Sequence, residues 1–362
     1  MELFQKYLLW KTRKGLFERY FSKYCQEDSS SGSNIQHKKS TPGVVKAASV
    51  QTRIKLFKDP LDYTRQIHGF VHGAWEKGAE LIVFPENNNL QLLGMLPGAE
   101  RVNAVSSSSF RANSNRENEY SVAGLIGFMT PVVQRVINST FPVLARLYGV
   151  YIMAGSFLLF QEGRLVNRAF LFSPHGTMVG YQDKAHLMPM EVEWGISPSH
   201  QLKVFETSLG KVAMPVCMDA TYFETFRILE LQGARIITLP IANPEDYNYW
   251  LAMRGIWPRV QESLVYGIKS ALVGEALGFT FTGKAGIYAP LELTPQRNGI
   301  LAEANSPYQE SLITAEIDLS SLERLRKEHP RRDFNLSLYD SYFPSIYFTS
   351  YFTSVPRKIQ YD

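Results

Sequence analysis

Three reactive side chains follow predicted strands in similar ways: Glu86 after LIVFP, Lys184 after VGYQD and Cys217 after KVAMPV. A cysteine at a strand end, on a turn that opens into a helix, projects its thiol among backbone N–H groups able to receive an oxyanion. The thiol needs a base to become a nucleophile, and Glu86 is the candidate. A lysine beside them would stabilise both the thiolate and the charge growing on a carbonyl oxygen. Taken singly, the three fit equally a buried small hydrophobe, a loop carboxylate and a surface charge. What decides between these is how the chain positions them.

Val44–Val50 reads as a strand, Asp62–Ala79 as a helix with Ile67, Phe70, Val71, Ala74 and Trp75 on one face, and Leu81–Phe84 as a short buried strand stopped by Pro85. Glu86 thus stands at the C-terminal end of a strand, where α/β folds gather their sites. Residues 98–120 read as a long polar loop, and Val132–Leu147 as a helix broken near Pro142. Tyr151–Ala154 is a strand. Ser156–Phe160 and Leu165–Phe172 form a hairpin across Gln161-Glu162-Gly163, and Thr177–Tyr181 delivers Lys184. Lys211–Val216 delivers Cys217; helix Tyr222–Gln232, strand Ala234–Leu239, helix Arg259–Tyr266 and strand Ser270–Glu275 follow. Shorter strands near 285–289, 300–303 and 312–317 precede a helix at 319–327. The mixture predicts an α/β sheet sandwich covered by helices, a single domain over 44–333.

On either side lie a 1–43 arm and a 334–362 tail. Residues 1–26 read as a basic, aromatic, amphipathic helix suited to lying on a membrane surface or to packing on its own domain or a partner; 27–43 read as a flexible linker. The tail is densely aromatic with no clear helical period, and would pack across a subunit interface or border the site.

A net charge of +4, with no base-reading or stacking signature, argues against nucleic acid as a partner. Cys25 and Cys217 give neither a disulfide framework nor a C-x-x-C pair, which suits a reducing, cytoplasmic setting. No secretory h-region and no 18-residue apolar span is evident. The histidines form no metal cluster: His68 and His72 are four apart but have no glutamate in the H-E-x-x-H position between them. No metal and no organic cofactor is called for.

The segments ELIVFPE (80–86), DKAHLMP (183–189) and PVCMDATYFE (215–224) resemble, in order, the three catalytic motifs of the nitrilase superfamily. YIMAGSF (151–157), NRAFLFSPHGTMVGYQDK (167–184), RVQESLVYGIKSALVG (259–274) and LITAEIDLSSLERLR (312–326) extend the resemblance over about 44–333. It implies a four-layer α-β-β-α sandwich of the carbon–nitrogen hydrolase type and a Glu86–Lys184–Cys217 triad. It also implies a second glutamate beyond the lysine; Glu193 fits that place, with Glu191 a nearby competitor. The Met218 N–H would share the oxyanion with Lys184, and Asn243, Pro244 and Tyr247 would line the substrate pocket. Met218-Asp219 after the cysteine is more like the amidase branch than the Trp-Glu of nitrile-cleaving members. The expected activity is cleavage of a small-molecule amide or N-carbamoyl C–N bond through a thioester. A nitrilase, an acyltransferase and a non-catalytic membrane-surface or scaffold protein are the competing readings. A homodimer or higher homo-oligomer is expected, with residues 1–26 as a candidate peripheral membrane contact.

Overall fold

The computed structural model describes residues 2–30, 41–99, 122–328 and 335–345. Strand β1 (Val44–Arg53) is the seam of the molecule. Along Val44–Gln51 it pairs antiparallel with β13 (Ser311–Asp318), while Ala47–Ser49 pair in parallel with β2 (Leu81–Val83). At its far end Gln51–Arg53 pair instead with Ala271–Val273 of β9 (Tyr266–Ala276). The strands therefore divide into two sheets joined at one corner. The first runs β5 (Met178–Asp183), β4 (Arg164–Phe172), β3 (Tyr151–Gln161), β2, β1, β13. The second runs β6 (Val204–Thr207), β7 (Gly210–Ala213), β8 (Ile236–Ile241), β9, β11 (Gly286–Tyr288), β12 (Ile300–Glu303), with β10 (Phe279–Phe281) returning on β9.

Strand periodicity sorts the apolar residues into three buried layers. Val45, Ala47, Leu81, Val83, Met153 and Leu171 of the first sheet share one core cluster with Val212, Met214, Ile236, Ile268 and Ile287 of the second. The alternate residues Ala48, Val50, Ile82, Phe84, Ile152 and Ala154 pack under helices α3 (Pro60–Glu76) and α4 (Val122–Tyr148). Ile237, Leu239, Ala271 and Val273 pack under α6 (Phe223–Leu231) and α8 (Ile256–Ser263), which with α5 (Pro189–Glu193) and α7 (Tyr249–Met253) complete the helices of this region. This is the expected α-β-β-α sandwich. The hairpin turn between β3 and β4 is the two-residue Glu162-Gly163, both at positive φ (51° and 78°), which matches the twist of the flanking strands.

Three expectations change. The first helix of the chain is two, α1 (Glu2–Lys11) and α2 (Lys14–Ser30), separated at Thr12, whose hydroxyl donates back to the Leu8 carbonyl. Their buried residues Leu8, Phe17 and Phe21 join the core under α3 and α4, and the Tyr20 hydroxyl meets His68 Nδ1 at 2.9 Å. The arm thus packs on its own domain. Helix α4 begins ten residues earlier than expected and runs through both Pro131 and Pro142. Twelve buried residues along it outweigh the roughly 3 kcal/mol that an interior proline costs. Finally, Leu336–Ser345 of the aromatic tail is helical (α10), in a unit (323–362) separate from Met1–Leu322; α9 (Leu319–Glu328) spans the division. The loop reading for 98–120, and much of the linker and tail readings, fall outside the described residues. Among the described residues no helix is long and apolar enough to cross a membrane.

One glycine governs how Glu86 leaves its strand. In β3 the register with β4 shifts between Met153 and Ser156, and Gly155 sits in this bulge at φ +81° against the Pro85 carbonyl. A β-carbon there would collide with Pro85, so Gly155→Ala combines left-handed strain with a backbone clash. We expect it to destabilise by about 2–3 kcal/mol and to lower Tm by roughly 5 °C; thermal denaturation giving the wild-type midpoint would contradict this.

Candidate active site

Four segments bring their polar groups to one buried point. After β2 the Phe84 N–H still donates to the Met153 carbonyl (2.9 Å), Pro85 ends the pairing, and Glu86 turns inward with 1% of its surface exposed. At the end of β5 the Lys184 N–H continues the ladder to the Asn167 carbonyl (2.9 Å). Its predecessor Asp183 is gripped by Arg168, Nε to Oδ1 at 2.6 Å and Nη2 to Oδ2 at 2.9 Å, and the guanidinium lies 3.8 Å from the Tyr181 ring centre. That bidentate pair fixes the strand end from which Lys184 points inward, itself 1% exposed.

The Lys184 ammonium lies between two carboxylates, 2.8 Å from Glu86 Oε1 and 2.7 Å from Glu191 Oε2. Asn167 Nδ2 donates to both acids, at 2.9 Å to Glu86 Oε1 and 3.1 Å to Glu191 Oε1. The Ala242 N–H, just past β8, donates to Glu86 Oε2 (2.9 Å), and the Met188 N–H to Glu191 Oε2 (2.8 Å). Every carboxylate oxygen of the pair is thus hydrogen-bonded, the condition under which buried charge is tolerated.

Cys217 begins a 3₁₀ turn (Cys217–Thr221) with its own backbone left-handed, φ +46°. A non-glycine residue held there is strained. The turn is held by Asp219, fully buried, whose carboxylate accepts from Val216 N–H (2.8 Å), Ala185 N–H (3.1 Å) and His186 N–H (2.7 Å). One side chain therefore ties the residue before the cysteine to the two residues after the lysine. The half-buried thiol faces the Glu86 carboxylate and lies 3.4 Å from Asn243 Oδ1. The N–H of Met218 belongs to the first turn of the 3₁₀ segment, where backbone donors lack an intrahelical acceptor.

Charge balance sets the protonation pattern. Two carboxylates against one ammonium leave one negative charge in excess. Burial raises the Glu86 pKa above its ordinary 4.5, with Lys184 opposing and Glu191 adding to the rise. Burial also works against the Lys184 charge, but Glu86, the thiol and Glu191 together hold its pKa above the usual range. Burial and then the Glu86 charge push the Cys217 thiol well above its usual value, and Lys184 offsets this only in part. A thiolate would add a second uncompensated charge, so the resting pair is a thiol facing a carboxylate. Moving the proton from sulfur to Glu86 leaves the total charge unchanged.

The structure thus brings Glu86, Lys184 and Cys217 together, with Asn243 beside the thiol. The second glutamate is corrected: Glu193 is exposed, and Glu191 is the residue that reaches Lys184. Two positioning residues, Asn167 and Asp219, were not singled out from sequence. The signal for Asn167 was available, because it shares the inter-sheet face of β4 with Ala169 and Leu171, where an amide must have a polar partner.

Two cavities adjoin the site, and Met188 borders both. The first, about 250 Å³, is lined by Cys217, Met218, Asn243 and Tyr247. The second, about 220 Å³, is lined by Glu86 and Lys184 together with Leu90, Leu125, Trp194 and Phe279; Pro244 lies on this side.

With that geometry in place, residues 46–327 match the carbon-nitrogen hydrolase family. The chain belongs to that family. The probable hydrolase YhcX of Bacillus subtilis is 29% identical over 289 residues, which cover 78% of this chain; the match spans about half (52%) of the Bacillus protein. A nitrilase of Pyrococcus abyssi is 28% identical over 279 residues, covering 76% of this chain and 90% of that protein. An omega-amidase of Danio rerio is 26% identical over 219 residues, covering 56% and 75%. Among solved structures, a carbon-nitrogen hydrolase from Helicobacter pylori superposes with a TM-score of 0.62 at 21% identity, covering 83% of this chain and 98% of that one. A variant amidase from Nesterenkonia gives 0.57 at 18%, covering 83% and 98%. These two share the family's fold.

If Glu86 is the base that takes the Cys217 proton, alkylation of the thiol by iodoacetamide rises with pH through the Glu86 pKa, which lies above 4.5, and falls off below it. Glu191→Gln removes a like charge beside Glu86 and lowers that pKa, so the acid limb moves to lower pH. Glu193→Gln, out in solvent, leaves the limb in place. Equal shifts in the two variants would show that Glu191 exerts no field at the site.

Proposed function

We propose that this protein is a cysteine-dependent hydrolase that cleaves a non-peptide amide or N-carbamoyl C–N bond through a thioester. The observation that carries the reading is the placement of the Cys217 thiol against a buried carboxylate whose other partner is a buried ammonium. Cys217 Sγ attacks the carbonyl carbon as its proton passes to Glu86. Lys184 and the Met218 N–H stabilise the oxyanion. The protonated Glu86 then gives that proton to the leaving nitrogen, the C–N bond breaks, and the amine or ammonia departs, leaving the acyl group on sulfur. Water attacks the thioester, Glu86 takes a proton from it, and the acid leaves as Cys217 recovers its proton. Glu191 and Asn167 act as positioning residues, holding Lys184 and Glu86 at their distances throughout.

The Nesterenkonia amidase variant supports a nucleophilic cysteine in this fold, since the acetamide moiety of fluoroacetamide is found added to its active-site cysteine. The Pyrococcus relative, a nitrilase, keeps nitrile hydrolysis as the second reading. The same thiol would add to a nitrile carbon. An acyl acceptor other than water would make the enzyme a transferase.

Turnover of a panel of amides, N-carbamoyl compounds and nitriles, read as amine or ammonia release, tests this. We expect one class to be hydrolysed, Cys217→Ala to lose about 10⁴-fold or more, and Lys184→Met to lose on the order of 10²–10³-fold. Mass spectrometry of the wild type should catch an acyl adduct on Cys217. Turnover that survives Cys217→Ala would refute the mechanism.

Two proposals concern partners. A homodimer or larger assembly would bury exposed apolar surface of the sandwich. Peripheral membrane contact would use the stripe Leu3, Tyr7 and Trp10 of α1, which stays exposed beside Lys6 and Lys11 while the opposite face packs inward. Replacing these three with serine should abolish co-sedimentation with anionic vesicles; vesicle binding equal in both proteins would rule out the stripe as an anchor.

A further inference from the structure

The Cys217 cavity contains a cation that the chemistry at Glu86, Lys184 and Cys217 does not use. Lys269 stands in the middle of β9, paired across from Leu239 of β8, and with Leu239 and Ile241 it lines this cavity on the helix-covered face of the second sheet. The residue is 4% exposed. Among the described residues its ammonium has no hydrogen-bond or ion-pair partner; the face of the Tyr288 ring lies 5.2 Å from Nζ to the ring centre, and Glu303 and Lys284 act on it only through their charge. A buried ammonium without an anion is costly, so an unpartnered one that lines a cavity points to a ligand that supplies the anion.

The nearby charges do not fill that role. Glu303 is engaged elsewhere: it accepts from Lys284 at 3.3 Å and from the Tyr288 hydroxyl at 3.2 Å. The two acids of the lining itself, Glu245 and Asp246, are exposed to solvent, as is Arg254. The interior thus holds two lysines, 269 and 284, against one carboxylate. Tyr247, also in the lining, keeps its proton because burial and then Glu303 push its pKa up to about 12, so it can serve only as a neutral donor.

We propose that Lys269 binds a carboxylate carried by the acyl part of the substrate. This deepens the amidase reading and rests on it. The assignment to the acyl part follows from the proton path. Glu86 must reach the leaving nitrogen, so the leaving group lies toward the apolar cavity that Glu86 lines, and the acyl group bound to Cys217 extends into the cavity that Lys269 lines. The substrate is then the amide of a dicarboxylic acid, one end cleaved and the other held as an anion.

Burial, reinforced by Lys284 and opposed by Glu303, lowers the Lys269 pKa to about 8. A bound carboxylate favours the charged lysine, so affinity for such a substrate is full below that value and declines as pH rises through it. The groups facing Lys269 from neighbouring elements are Glu303, Lys284, Tyr247 and Tyr288, and both tyrosines stay neutral over this range.

The test compares succinamate and glutaramate with the neutral butyramide and valeramide, as the ratio of kcat/KM for acid amide over neutral amide. We expect the wild type to prefer the acid amides at pH 7 and to lose that preference progressively above pH 8, through KM. Lys269→Met should lower the ratio ten- to hundredfold, the size expected for one charge-assisted hydrogen bond, and abolish its pH dependence. Lys269→Arg should restore part of it. A wild-type ratio near one at pH 7, or a ratio unchanged in Lys269→Met, overturns the proposal; the first of these needs no variant to fold. Calorimetry of glutarate binding to Cys217→Ala separates this from the amidase reading. Binding that weakens above pH 8 and is lost on adding Lys269→Met upholds the anion site even if no amide is turned over. No glutarate binding at pH 7 overturns it even if amides are hydrolysed.

Discussion

Everything at the centre of this molecule is arranged around one buried ammonium. Lys184 is as inaccessible to water as any core residue, and in isolation its charge would cost more than a domain's whole stability. It is tolerated because Glu86 and Glu191 stand 2.8 and 2.7 Å away and because the Ala242 N–H and Asn167 satisfy the two carboxylate oxygens that Lys184 does not. Two acids for one base leave a surplus of negative charge, which together with burial holds a proton on Cys217 at rest. On the proposed mechanism that proton passes to Glu86, so substrate would meet a neutral thiol, and the nucleophile would form as a carbonyl becomes available to take up its charge under the field of Lys184.

Such a cluster needs positional accuracy from distant parts of the chain. Glu86 and Lys184 come from the first sheet and Cys217 and Ala242 from the second, so their separation depends on how the two sheets face each other. That spacing is set by the shared inter-sheet core and by β1, which pairs with β2 and β13 before passing to β9. Fine adjustment comes from single residues whose side chains do no chemistry. Gly155 lets β3 bulge past Pro85, the Arg168–Asp183 pair locks the strand end before Lys184, and Asp219 joins the cysteine turn to the lysine loop. The left-handed backbone of Cys217 is supported by that last carboxylate, which receives three backbone N–H groups.

How much of this could be read from sequence depends on the range of the interaction that fixes each part. Glu86, Lys184 and Cys217 were legible because the three motifs that carry them occur in a recognisable order; the residue types and strand-end positions alone fit other roles equally. The choice between Glu191 and Glu193 was not, because α5 is a five-residue helix and two positions along a helix are about 200° apart around its axis. Which one faces inward depends on how Pro189 starts the turn. The sandwich was legible from strand and helix periodicity. The early start of α4 was not, since Pro131 and Pro142 are local breakers that only tertiary burial overrides. The arm's amphipathic pattern was correct in kind, but sequence could not say that the buried face meets α3 and α4, because the pattern reports that a face is covered and not by what.

Chemistry and specificity have different signatures in this chain. The reacting groups sit at strand ends, where strands of this architecture present side chains to a common crevice. Lys269 sits inside a strand, in the run YGIKSALVG, where the neighbours on both sides are buried. Asn167 occupies the same kind of position in β4. A polar side chain at a buried strand position is too costly to persist without a partner. For Asn167 the partner is within the protein, two carboxylates, and the residue positions the reacting groups. For Lys269 the described protein supplies none, and the lysine faces the cavity that holds the thiol. On the proposed function, strand ends carry the reaction, and a polar residue that interrupts a buried strand without a partner in the protein marks where this chain would fit that reaction to its own substrate.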